Sequence, residues 1–192
     1  GAGKLLAPVF AELLYDRRVK TLYEWGCGPA WIGLWLLEQG ICQELVVSDI
    51  SKEAIDCVRR TISKHNYPVR SYLSDNLKGI PEYEKFDIIV ANPPNYVNIQ
   101  EDHPLGFLRN DLRPSDIDWK IHKNFYNNIG RYMHKESNIY IHEIEPYKKE
   151  VYSFNKLYDL RIREPIKDFL EMIETNNLLL NNVITYDLVL DD

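Results

Sequence analysis

The sequence predicts an α/β domain, a doubly wound and mainly parallel sheet with helices on both faces. Three observations carry this. Short apolar runs alternate with helical stripes along most of the chain. One run, FDIIVA at residues 86–91, is apolar enough for a strand covered on both sides. A tight Gly26-Cys27-Gly28 turn joins the first apolar run to the helix after it.

The elements follow in order. Leu5, Leu6, Val9, Phe10, Leu13 and Leu14 form a helical stripe over 5–15, with Pro8 near its first turn. Residues 21–25 read as a strand. Residues 31–39 are apolar nearly all round and predict a buried helix that Gly40 ends. Leu45-Val46-Val47 is a buried strand. Ser51 can cap a helix carrying Ile55, Val58 and Ile62. Residues 69–73 and 86–91 are the third and fourth strands. Pro93-Pro94 breaks the chain, and a polar stretch with little periodicity runs to about Pro114; loops of that length tend to be functional. Ile117, Ile121, Phe125, Ile129 and Met133 mark a long amphipathic helix. A fifth strand follows over 139–144, then strands over 157–162 and 183–190 with a helix over 166–174 between them. No linker or repeat divides the chain, so one domain is expected over 1–192.

Composition narrows the function. Of the 192 residues, 45% are hydrophobic and 27% charged, which excludes a disordered chain. The net charge of −6 argues against a broad counterion-releasing nucleic-acid surface. Residues 109–135 depart from that balance, with six basic residues against three acidic, and are the best landing place for an RNA or an acidic partner. No apolar run is long enough to span a membrane. Cys27, Cys42 and Cys57 lack a C-x-x-C pair and read as reduced thiols of a cytoplasmic protein. They share no metal-ligand spacing with the five His, so no metal site is expected.

In open α/β sheets, ligands bind beyond the carboxyl ends of the strands. The first strand ends in Glu24-Trp25-Gly26-Cys27-Gly28-Pro29-Ala30. A dinucleotide fingerprint would need glycine at position 31, which is Trp31, and Pro29 removes an amide donor. Glycine-x-glycine alone also fits a turn with no ligand. The other strand ends add to it. Asp49 lies 21 residues beyond Gly28, a spacing suited to holding a ribose, and Ile50 could pack on an adenine. Ser74-Asp75-Asn76 ends the third strand, suited to an adenine amino group, and Asn92-Pro93-Pro94 ends the fourth.

These motifs resemble those of the class I S-adenosylmethionine-dependent methyltransferases over about residues 20–145. EWGCGPAWIGL is similar to the glycine-rich first motif, VVSDIS to the acidic second, and SDNLKGIPEYEKFDIIVANPPNY to the third and fourth, including an N-P-P-Y type signature. That signature occurs in adenine amino-group methyltransferases and in release-factor and other protein glutamine methyltransferases. IYIHEIEP is similar to the fifth strand of the glutamine group.

The resemblance implies a seven-stranded Rossmann-like sheet, S-adenosyl-L-methionine as cofactor, and methyl transfer to an amino or amide nitrogen. It favours a protein glutamine as acceptor, with an adenine of RNA or DNA, or a non-catalytic protein of the same fold, as alternatives. It also implies roles. Glu24, Trp25, Gly26, Cys27 and Gly28 would hold the methionine part, Asp49 and Ile50 the adenosine, and Asp75 and Asn76 the adenine. Asn92, Pro93, Pro94 and Tyr96 would present the acceptor nitrogen, Asn92 also bordering the cofactor. Two departures stand out: Ala30 replaces the third glycine, and Asn95 displaces the expected aromatic to Tyr96. An N-terminal recognition part usual in the family is expected to be missing. Trp119, His122 and Tyr126 are expected at the surface or partly buried, and Glu143 and Glu145 solvated.

Overall fold

A computed structural model of the chain describes residues 3–94, 116, 119–143 and 165–184. The elements are α1 (Gly3–Leu13), β1 (Val19–Trp25), α2 (Trp31–Glu38), β2 (Cys42–Asp49), α3 (Lys52–His65), β3 (Val69–Leu73), β4 (Phe86–Ala91), α4 (Lys120–Ile129), β5 (Met133–Ile141) and α5 (Pro165–Thr175). Among the described residues the sheet has five strands, all parallel, in the order β3-β2-β1-β4-β5. The expectation of seven is therefore met for five. The run at 157–162 lies outside the described residues, as does 185–190, and Val183 and Ile184 are irregular. No described helix is long and apolar enough to cross a membrane.

The order follows from the crossovers. Helices α2 and α3 carry the chain outward from β1 to β2 to β3. The chain then returns to the other side of β1 and continues outward through β4, α4 and β5. β1 and β4 are neighbours, with Leu22 beside Ile88 and Trp25 beside Ala91. Their carboxyl ends form the switch point of the sheet, the place where open α/β sheets bind ligands.

Strand periodicity of two divides the core. Leu22, Leu45, Val47, Ile88 and Val90 face α1, α2 and α3, against Leu6, Phe10, Ile32, Leu36, Ile55 and Val58. Tyr23, Trp25, Val46, Ile89 and Ala91 face α4 and α5, against Phe125, Ile129, Phe169 and Met172. Ser51 caps α3 as expected, its Oγ accepting from the Ala54 amide at 3.2 Å.

Three elements differ from expectation. Trp31 and Trp35 of α2 are 49% and 46% exposed, so that helix buries one face only, through Ile32, Gly33 and Leu36. The expected long helix ends at Ile129, and a 3-10 turn over Gly130–Tyr132 leads directly into β5. β5 then begins at Met133, earlier than its apolar residues suggest. Its polar start is held by pairing with β4, with a register irregularity between Phe86 and Ile88, and by Ser137 Oγ donating to the Phe86 carbonyl at 2.6 Å.

Candidate functional site

The glycine turn after β1 is built by backbone angles. Gly26 and Gly28 have φ of 61° and 51°, and a Cβ at either would meet nothing within 4 Å. The requirement is therefore conformational, and the loop faces open space where a ligand can approach its backbone. Ala30 continues the turn at φ 59° as the N-cap of α2, where an L-residue costs roughly 1–2 kcal/mol. The replacement of the third glycine is thus a strained position, held by the Ala30 amide donating to the Cys27 carbonyl at 2.8 Å.

Asp49 braces this loop from the end of β2. Its Oδ2 accepts from the Gly28 amide at 2.7 Å and its Oδ1 from the Ser51 amide at 2.8 Å. Each carboxylate oxygen keeps a second lone pair for a ligand hydroxyl. Ile50 beside it is 39% exposed. Glu24 sits beneath the loop, 3% exposed, its Oε2 accepting from the Gly33 amide at 2.8 Å. Burial pushes its carboxyl up to about 8, against the lowering effect of the Gly33 and Ile32 amides. Gly33 permits the contact: a Cβ there would lie 2.6 Å from Glu24 Oε2 and 2.7 Å from Leu45 Cδ1.

The other predicted residues divide. Trp25 turns its ring into the core, stacked on Phe125 at 4.0 Å, so only its backbone borders the crevice. Cys27 is buried, and burial pushes its thiol well up, which suits packing rather than reactivity. Asp75 is exposed and pairs with Lys78 at 2.7 Å. Asn76 adopts φ 56° and donates from Nδ2 to the Ile121 carbonyl at 2.8 Å, while its buried Oδ1 has no partner among the described residues. That orphaned acceptor and the open glycine loop are what an adenosine-bearing ligand would satisfy. Asn92 Oδ1 lies 2.9 Å from His142 Nδ1, and the His142 amide donates to the Ala91 carbonyl at 2.9 Å. Burial lowers the His142 pKa, so its ring is neutral and donates from Nδ1 to the Asn92 oxygen. Pro93 is buried and Pro94 half-buried beside it. Tyr96 and Glu145 lie outside the described residues.

Trp119, His122 and Tyr126, expected at the surface or partly buried, and Glu143, expected in solvent, are more enclosed than that. Trp119 and His122 are fully buried, Tyr126 is buried, and Glu143 is mostly enclosed. The reason is a polar network beneath α4. Asp116 Oδ1 accepts from the Ile121 amide at 2.8 Å, and its Oδ2 accepts from the His122 amide at 2.9 Å and meets His122 Nδ1 at 2.6 Å. His122 Nε2 meets Glu143 Oε1 at 2.9 Å. Burial alone would lower the His122 pKa, but Asp116 and Glu143 outweigh it and push it up to about 9. Trp119 packs edge-on to His122 and donates from Nε1 to Asp168 of α5 at 2.8 Å. Sequence reasoning did not single out Gly33 or His142. Gly33 lies within the EWGCGPAWIGL run and His142 within the IYIHEIEP run, so both were within reach.

Comparisons with known proteins agree with this geometry. Residues 2–106 match the methyltransferase small domain family. A ribosomal RNA small subunit methyltransferase C of Pseudoalteromonas translucida is 35% identical over 92 residues, 47% of this chain and 26% of that protein. A release factor glutamine methyltransferase of Streptococcus pneumoniae is 31% identical over 98 residues, 50% of this chain and 34% of that protein. The matched part therefore spans about a quarter to a third of these curated relatives. Among solved structures, a ribosomal protein L11 methylase from Lactobacillus delbrueckii subsp. bulgaricus superposes with TM-score 0.63 at 12% identity, covering 95% of this chain and 72% of that one. The geranyl diphosphate C-methyltransferase of Streptomyces coelicolor, solved with S-adenosyl-L-homocysteine, gives 0.62 at 14% identity, covering 92% and 63%. The cofactor that the methyltransferase family match supports is S-adenosyl-L-methionine. With its family match reaching over more than half of its length, the chain belongs to the methyltransferase small domain family.

Proposed function

We propose that the chain transfers a methyl group from S-adenosyl-L-methionine to a planar amino or amide nitrogen. The observation that carries this is Asn92, fixed at the switch point beside the Gly26–Gly28 loop with its side-chain oxygen oriented by His142. An amide or exocyclic amine is a weak nucleophile because its lone pair is delocalised. Bound cofactor supplies a methyl group already activated on a sulfonium. What remains for the protein is placement. Asn92 Oδ1 and the Pro93 carbonyl are acceptors for the two N–H groups of the nitrogen, and the paired prolines stiffen the turn that presents them. Glu24, Gly26, Gly28 and Asp49 would hold the cofactor, with Ile50, Asp75 and Asn76 at its adenine end.

Two acceptors offer such a nitrogen. A protein glutamine is favoured by the acidic balance and by the likeness of residues 70–100 to glutamine methyltransferases, one of which is among the relatives. A nucleic-acid base is favoured by the ribosomal RNA methyltransferase relatives and by the exposed Lys120 and Lys123 of α4, with exposed Arg131 in the turn after it. Label transfer from radioactive S-adenosyl-L-methionine into lysate, followed by nuclease or protease, separates them. Loss of the product to protease alone supports glutamine, and loss to nuclease alone supports the base. Asn92→Ala should leave cofactor affinity nearly intact and remove most transfer. Equal turnover by variant and parent would refute the role given to Asn92.

A further inference from the structure

Glu143 is one residue beyond His142, at the end of β5 and next to the strand that ends in Asn92. Its two oxygens differ. Oε1 is held by His122 Nε2, and Oε2 is buried with no partner among the described residues. A buried carboxylate oxygen left unpaired is costly, and folded proteins rarely keep one without a use for it. The arrangement behind it is equally specific. His122 is fully buried and has both ring nitrogens occupied, by Asp116 on one side and Glu143 on the other. Asp116 is itself fixed by two backbone amides of α4. The chain of contacts leaves Glu143 Oε1 with one set position and leaves Oε2 as the acceptor with no partner among the described residues.

A purely structural clamp on α4 would not need this form. Asp116 already caps the helix, Asn76 ties its first turn from the β3 side, and Trp119 bonds Asp168 of α5. Glu143 adds a negative charge to an enclosed place, which costs free energy unless a donor offsets it. A metal does not fit the arrangement, because both His122 nitrogens are engaged, and among the described residues no group of His, Cys, Asp and Glu is arranged to hold one.

We propose that Glu143 is a substrate-binding residue whose Oε2 accepts a hydrogen bond from an N–H of the methyl-acceptor group, with His122 and Asp116 as its positioning residues. This rests on the reading of the chain as an N-methyltransferase and adds to it an acceptor on β5 that shares, with the Pro93 carbonyl, the N–H not held by Asn92 on β4. The ligand chemistry is an uncharged N–H donor, as in a primary amide or an exocyclic amine.

The test uses binding, so it does not depend on turnover. The protein, saturated with S-adenosyl-L-homocysteine, is titrated calorimetrically with a glutamine-bearing tripeptide and, separately, with single-stranded oligoadenylate. Glu143→Gln keeps an oxygen for His122 and places an amino group where Oε2 stood. The parent should bind one probe, and Glu143→Gln should bind it about tenfold or more weakly, with unchanged affinity for S-adenosyl-L-homocysteine. Asp116→Asn keeps an acceptor for the α4 amides but loosens His122, and should weaken the same probe about threefold. This variant decides the matter if Glu143→Gln does not fold. Equal probe affinity in parent and variants overturns the proposal, as does a parent that binds neither probe. Loss of the underlying reading shows elsewhere, as a lysate that takes no label or an Asn92→Ala variant that retains turnover.

Discussion

Gly33→Ala tests whether the packing of α2 onto β1 and β2 is as close as it looks. In an ordinary helix this substitution is favourable by about 1 kcal/mol. Here the new methyl would sit 2.6 Å from Glu24 Oε2, 2.7 Å from Leu45 Cδ1 and 3.1 Å from Leu45 Cδ2. Pushing Leu45 aside in a filled core costs about 1–3 kcal/mol. Displacing Glu24 breaks its 2.8 Å bond to the Gly33 amide and leaves a buried carboxyl short of a donor, for about 1–3 kcal/mol more. The net is a loss of about 3 kcal/mol, which for a chain of this size lowers the melting temperature by about 6–12 °C. Gly130→Ala is the control. Gly130 has φ −54°, and a Cβ there would meet nothing within 4 Å, so its melting temperature should hold or rise slightly. Circular dichroism melts of both variants beside the parent decide it. A Gly33→Ala protein that melts within 2 °C of the parent, or above it, refutes the close packing and the bracing role of Glu24.

Other consequences follow from the same contacts. Asp49→Ala removes both the acceptor for the Gly28 amide and a charged partner for a ribose, and should weaken S-adenosyl-L-methionine binding by about 1–3 kcal/mol in a calorimetric titration; affinity within twofold of the parent would refute it. His122 has a folded pKa raised to about 9 from an unfolded value of 6.5, so its stabilising effect is full below about pH 6.5 and is lost as pH rises through 9. The loss is on the order of 3 kcal/mol. Urea unfolding at pH 6 and pH 9.5 should show a smaller difference in a His122→Gln variant than in the parent. The comparison with the variant is needed because Glu24, raised to about 8, also makes stability fall with pH, chiefly between about 4.5 and 8.

The elements that follow simple periodicity were legible in the sequence. FDIIVA and residues 69–73 are strands with the expected bounds, and the Ser51 cap is where a short polar side chain before Ile55 and Val58 placed it. The glycine turn and Asp49 were legible because their chemistry is local to strand ends. The pairing between them was not, because Asp49 meets Gly28 only once β1 and β2 are side by side. The same holds for the network under α4. Asp116, His122 and Glu143 are polar in sequence, and polar residues default to solvent. Only the β4–β5 pairing and the seating of α4 on the sheet reveal that one ring joins them. The polar start of β5 was invisible for a related reason: its strand geometry comes from β4, not from its own side chains.

The double bracing of Asp49 has a further consequence. Its carboxylate rotamer is set by two amides of the chain itself, so the side-chain entropy that most binding residues lose when they meet a ligand is lost here at folding. A ligand hydroxyl therefore meets an acceptor that needs no rearrangement. Because the bracing comes from the Gly28 and Ser51 backbone, no side-chain substitution at those two positions removes the donors, short of proline. Sequence can drift around these strand ends while the Asp49 acceptor stays as it was.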